Sequence, residues 1–161
     1  MKNIYLEIFL KGMILKMEDR YKSKVVVDLL LERINENNKK EVLLLLRQNT
    51  GHADGMYDLP GGHVDPNEDL FEGMIREAKE EIGIEIDRKN MEIKHIYHHY
   101  KKDMIKFVFK VTMYSNEIKN NEPNKCKELR WFELDNLPEN IIPKIQEEIE
   151  NIKNDIYYSY D

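Results

Sequence analysis

The sequence predicts an α/β protein with a mixed β-sheet between helices, and three observations carry that reading. Apolar runs of strand length recur at KVVVDLLLERI (24–34) and EVLLLLRQ (41–48), and again from residue 91 onward. Two stretches instead repeat their apolar residues at helical spacing, one from Glu68 to Ile82 and one through the isoleucines from Ile141 to Ile156. The 161 residues, 41% hydrophobic and 35% charged, suit one domain of ordinary size with a true core and a polar surface.

The chain opens with MKNIYLEIFLKGMILK, apolar but interrupted by Glu7 and Lys11. It has no small-residue cleavage site and is too short and too charged to span a bilayer. Met13 and Met17 both precede the first convincing strand, so residues 1–16 are either an appended strand or an extension upstream of the true start. Residues 17–161 then form a single domain.

The strands at 24–34 and 41–48 flank the polar NENNKK, which predicts a hairpin loop. NTGHADG (49–55) is a loop by its glycines and turn residues. In MYDLPGGHVDPNED a short strand precedes a Pro-Gly-Gly turn that is expected to end all regular structure. Leu70, Phe71, Met74, Ile75, Ala78 and Ile82 give the first helix one apolar face, and Gly83 is its stop. MEIKHIYHHY (91–100), MIKFVFKVTMY (104–114) and LRWFEL (129–134) predict three more strands. Ile141, Ile142, Ile145, Ile149, Ile152 and Ile156 predict one face of a terminal helix over residues 140–153 and onward. The closing YYSY is either a docking patch for a homodimer or a frayed tail.

Composition excludes several functions. A net charge of -6 argues against holding a nucleic-acid duplex by its phosphates. It leaves room for a small-molecule nucleotide whose charge metal ions neutralise. The single cysteine, Cys126, cannot form an internal disulfide, which suits a reducing cytoplasm. No segment reads as a membrane span. His95, His98 and His99 share a strand, where 95 and 99 face one way and 98 the other, so they make no zinc set.

The chemistry concentrates in REAKEEIGI (76–84). Glu77, Glu80 and Glu81 stand at helical spacing on one face, where like charges repel by roughly 0.2–0.5 kcal/mol per pair. Such a face is either a solvated acidic surface or a platform for a cation. A hard divalent ion prefers oxygen ligands, and three carboxylates on one face supply them.

Reading outward, Gly62 is followed after five residues by Glu68, and after seven more by Arg76, Glu77, Ala78, Lys79, Glu80, Glu81, Ile82, Gly83 and Ile84. This resembles the box of the Nudix hydrolases, Gly-x5-Glu-x7-Arg-Glu-U-x-Glu-Glu-x-Gly-U with U apolar, at every specified position. The resemblance to the whole domain runs from about Lys24 to Ile152. It implies an α/β/α sandwich of Nudix type. It also implies Mg2+, for which Mn2+ can substitute, held by Glu77, Glu80, Glu81 and the Gly61 carbonyl. Arg76 would hold Glu77 by a charge-assisted hydrogen bond. Glu68, near the helix start, would support the metal shell. Glu81 is expected to face solvent or ion, away from the core.

The activity so implied is hydrolysis within the pyrophosphate of a nucleoside diphosphate linked to another group. A carboxylate takes the proton of the attacking water. Within the family that base is either the glutamate matching Glu77 or a carboxylate on a loop before a late strand, for which Glu122 and Glu128 are the candidates. Substrate choice lies outside the box. No proline follows the box in YHHYKK, where the ADP-ribose branch carries one, and no coenzyme A signature precedes it. Canonical or modified nucleoside triphosphates are therefore preferred. ADP-ribose or a nucleotide sugar is the alternative. A non-catalytic nucleotide sensor is the reading from another class, although such domains commonly lose box glutamates and all four are present here.

Overall fold

The computed structural model describes residues 21–161. The two readings of residues 1–16 lie outside the described residues. Among the described residues, eight strands and two α-helices follow in the order β1 (Lys24–Ile34), β2 (Lys40–Arg47), β3 (Tyr57–Asp58), β4 (Gly61–His63), α1 (Leu70–Ile82), β5 (Met91–His99), β6 (Met104–Val111), β7 (Cys126–Glu133), α2 (Pro143–Lys153) and β8 (Tyr158–Tyr160).

Strand β1 organises the sheet. Over Lys24–Leu31 it runs parallel to β6, and its last residues, Glu32–Ile34, pair antiparallel with β2. The strand order is β3-β2-β1-β6-β5-β8, with β7 on β2 and β4 on β1. Both faces of β1 are covered, which explains its apolar run, broken only by Asp28. Val27, Leu29 and Leu31 pack with Met74, Ala78 and Ile82 of α1, while Leu30 joins Ile145 and Ile149 of α2. The sheet thus lies between the two helices, as the sequence predicts for this α/β class.

Helix α1 starts one residue after its cap. The Asp69 side chain accepts from the backbone of Phe71 and Glu72, and Glu72 returns a bond to Asp69, a capping box that leaves Glu68 outside the helix. Gly83 closes the helix with a left-handed φ of 76°.

Three expectations change. The Pro-Gly-Gly turn does not end regular structure, because Gly61–His63 pairs with Val26–Asp28 of β1. A side chain on Gly61 would put its Cβ 2.1 Å from the Val27 carbonyl oxygen, so only glycine lets the strands meet there. The terminal helix is shorter than its isoleucine pattern. Pro143 sits in its first turn, Ile141 pairs instead with Tyr57 of β3, and Ile156 lies beyond a left-handed Asp155. The closing tyrosines are an edge strand, β8, running parallel to β5, and not a frayed tail. Ser159 and the Ile156 carbonyl anchor it by bonding the two ring nitrogens of the buried His95 at 2.9 and 2.8 Å.

Candidate active site

The turn at Pro60–Gly62 and helix α1 meet through Glu77 and Glu81. A Cβ on Gly62 would fall 2.5 Å from Glu77 Oε1, so the absent side chain is what admits that carboxylate against the turn. One turn further along α1, Glu81 accepts the Gly61 backbone N–H at 2.7 Å. Glu81 is therefore partly buried between helix and turn, where it lines the cavity. Glu80 points outward and is exposed.

Arg76 ties the group together from behind. Its guanidinium bonds Glu68 through both carboxylate oxygens at 2.7 and 3.0 Å. It also reaches Glu77 at 2.8 Å, Glu80 at 3.1 Å and the His63 carbonyl at 2.9 Å. This bidentate fork holds the Glu68 carboxyl below the usual carboxylate range, helped by the Asp65 N–H. Neither Glu68 nor Arg76 lines the adjoining cavity.

Electrostatics separates the two inner glutamates from an ordinary surface. Burial raises Glu77, with the Arg76 contact opposing it. Burial also pushes Glu81 up to about 8, against the Gly61 hydrogen bond and with the help of negative Glu77, Glu122 and Asp28. Among the described residues, no three carboxylate, histidine or cysteine side chains stand close enough to hold one ion as they are. The donor chemistry nevertheless fits a hard divalent cation, since Glu81 is shielded from water among like charges with only a backbone N–H to offset it.

The late-loop candidates part company. Lys119 N and Asn121 N bond the carbonyls of Ile82 and Glu81, and Asn121 Nδ2 bonds that of Lys79. The loop thereby caps the end of α1 and brings Glu122 to the cavity beside Glu77, Glu80 and Glu81. Glu122 is paired with Lys125 at 2.7 Å. Glu128, on β7, instead accepts the Tyr57 hydroxyl and does not line the cavity.

That cavity encloses about 910 Å³, within the range of small-molecule sites. Arg47 is fixed in its wall by Asp58 at 2.9 Å, Thr50 at 3.1 Å and the His52 carbonyl at 3.0 Å. Away from the carboxylates, Tyr97 and His99 of β5, and Lys144 at the start of α2, form another part of the lining. The Lys144 ammonium lies 3.9 Å from the Tyr97 ring centre. Beneath them, Asp28 of β1 and Lys106 of β6 are buried and ion-paired at 2.8 Å, with Glu148 of α2 at 3.4 Å from the same ammonium. Sequence reading passed over all three. The available signal was a charge inside the otherwise apolar VVVDLLL.

Comparison with known proteins gives concordant results. The family model for the NUDIX domain matches residues 25–153. Over 118 residues the chain is 30% identical to an ADP-ribose pyrophosphatase of Methanocaldococcus jannaschii, covering 71% of this chain and 64% of that protein. The chain thus spans under two thirds of that relative's length. Among solved structures it is similar to a MutT NUDIX hydrolase from Burkholderia pseudomallei, with a TM-score of 0.69 and 26% identity over 80% of this chain and 97% of that one. It is also similar to the MutT protein of Methanosarcina mazei Go1, with a TM-score of 0.65 and 26% identity over 84% of this chain and 96% of that one.

Proposed function

The chain belongs to the Nudix family, and from its site we propose that it is an Mg2+-dependent pyrophosphohydrolase of a nucleoside diphosphate linked to another group. One observation carries the reading: Glu77 and Glu81 turn inward against the Gly61–Gly62 backbone at the edge of a cavity large enough for a nucleotide.

Glu77, Glu80, Glu81 and the Gly61 carbonyl would hold the metal. When bound, it offsets charge developing on the phosphate oxygens and lowers the pKa of a water. Arg76 and Glu68 are positioning residues that fix the aim of Glu77. Arg47, already oriented by three contacts, presents a guanidinium at the cavity wall suited to a phosphate oxygen. The proton of the attacking water goes to a carboxylate on the cavity wall, Glu122 or Glu77, and not to Glu128, which lies outside the lining and accepts the Tyr57 hydroxyl.

Canonical or modified nucleoside triphosphates remain the preferred substrates. The relative named ADP-ribose pyrophosphatase favours ADP-ribose as the second reading. Purified protein with Mg2+ should be assayed for phosphate or pyrophosphate release on nucleoside triphosphates, oxidised triphosphates, ADP-ribose, dinucleoside polyphosphates, NADH and nucleotide sugars. Highest kcat/KM on a triphosphate supports the first reading, and highest on ADP-ribose or a nucleotide sugar replaces it with the second. No turnover of any of them with metal bound supports a nucleotide sensor.

A further inference from the structure

The Asp28–Lys106–Glu148 cluster has no part in the hydrolysis described above, yet two of its members line the same cavity. An ammonium so buried is costly unless paired. Here burial opposes the charge, but Asp28 and Glu148 outweigh it and hold the Lys106 amine above its usual range. The lysine is thus a permanent cation with three donor hydrogens and no acceptor.

Its surroundings decide what it can recognise. Asp28 Oδ2 and Glu148 Oε1 are both shut off from solvent, and Asp28 Oδ2 is engaged with the ammonium at 2.8 Å. The oxygens that hold the ammonium are thus turned from solvent, while Lys106 itself reaches the cavity wall. The ammonium's position is also fixed relative to the hydrolytic end. Asp28 is the direct sheet partner of Gly61, and Leu29 N bonds the Pro60 carbonyl at 2.8 Å. The same lining includes the apolar and aromatic Met104, Ile142, Ile145 and Tyr97, with His99 and Lys144 beside Tyr97.

We propose that Lys106 is a specificity-determining residue, donating to a ring carbonyl on the base of the bound nucleotide and so favouring oxo bases over amino bases. This rests on the reading of the cavity as a nucleotide site. A 6-oxopurine presents a carbonyl oxygen to the ammonium, whereas a 6-aminopurine presents an N–H2 group, so that donor faces donor. Inosine and adenosine triphosphates differ in this edge alone and are the probes of choice.

Wild-type protein with Mg2+ is expected to hydrolyse inosine triphosphate with a kcat/KM roughly ten- to a hundredfold above that for adenosine triphosphate, the worth of one hydrogen bond to a charged group. Lys106→Met alone would leave two carboxylates buried together, so it is combined with Glu148→Gln. The double variant should bring the ratio towards parity. Equal efficiency on the two nucleotides in the wild type, or a ratio unmoved in a folded double variant, would overturn the inference while leaving the hydrolase reading intact. No turnover of either nucleotide would overturn the inference and the triphosphate preference, while turnover of ADP-ribose or a nucleotide sugar would still uphold the hydrolase reading. The wild-type ratio decides the question even if the double variant does not fold.

Discussion

Gly61 gives its backbone N–H to the Glu81 carboxylate at 2.7 Å, so the turn and the helix that follow one another in sequence also clasp one another across the site. Exchanging that carboxylate for its neutral isostere separates fold from function. Glu81→Gln should retain the fold, with a metal-free Tm equal to or above that of the wild type, because the amide mimics the neutral carboxyl that burial favours and cannot acquire a buried charge. Hydrolysis should fall by roughly a hundredfold or more, with loss of the Tm rise caused by Mg2+. Thermal melts with Mg2+ and with chelator, alongside initial rates, check both halves.

The same carboxyl sets a pH dependence. Glu81 goes from an ordinary 4.5 to about 8 in the folded protein. The folded state then binds its proton more tightly than the unfolded chain. In metal-free protein that stabilisation is full below about pH 4.5 and is lost as the pH rises through about 8. Mg2+ must displace this proton, so its binding should tighten from pH 6 to 8 and level off above. Calorimetric titration at pH 6, 7, 8 and 9 gives the curve; a Kd flat from 6 to 8 would show that Glu81 is not a ligand.

Arg76 spans four partners, and lysine cannot reproduce its fork. Arg76→Lys should lower kcat by about tenfold or more while KM changes little, because the loss is in the aim of Glu77 and not in substrate contact. Steady-state kinetics on the best substrate distinguishes this from a uniform loss of binding.

The late-loop glutamates should behave oppositely. Glu122→Gln should reduce kcat by roughly a hundredfold if it is the base. Glu128→Gln should leave kcat near wild type and cost about 1 kcal/mol of stability through its weakened Tyr57 contact. Equal kinetic effects of the two would move the base to Glu77.

Much of this was legible in the sequence because it is local. The apolar faces of β1 and α1, the Gly83 stop and the Glu77–Glu81 spacing all follow from periodicities within a dozen residues. What escaped depends on partners far apart. Asp28, Lys106 and Glu148 meet only once three elements have packed, and each alone looks like one more charged residue. Glu122 and Glu128 stand equal in sequence, yet the caps from Lys119 and Asn121 onto α1 send one to the cavity and leave the other on β7. The strand at Gly61–His63 escaped because glycine's lack of a side chain breaks most structure, whereas here it is what allows β4 to close on β1.

The most direct test of the central claim is turnover of nucleotide pyrophosphates by the purified protein with Mg2+, with chelator, and by Glu77→Gln and Glu81→Gln. Hydrolysis should appear with Mg2+, vanish reversibly with chelator, and fall by roughly a hundredfold or more in each variant. Undiminished hydrolysis in chelator, or full activity in both variants, would contradict the account.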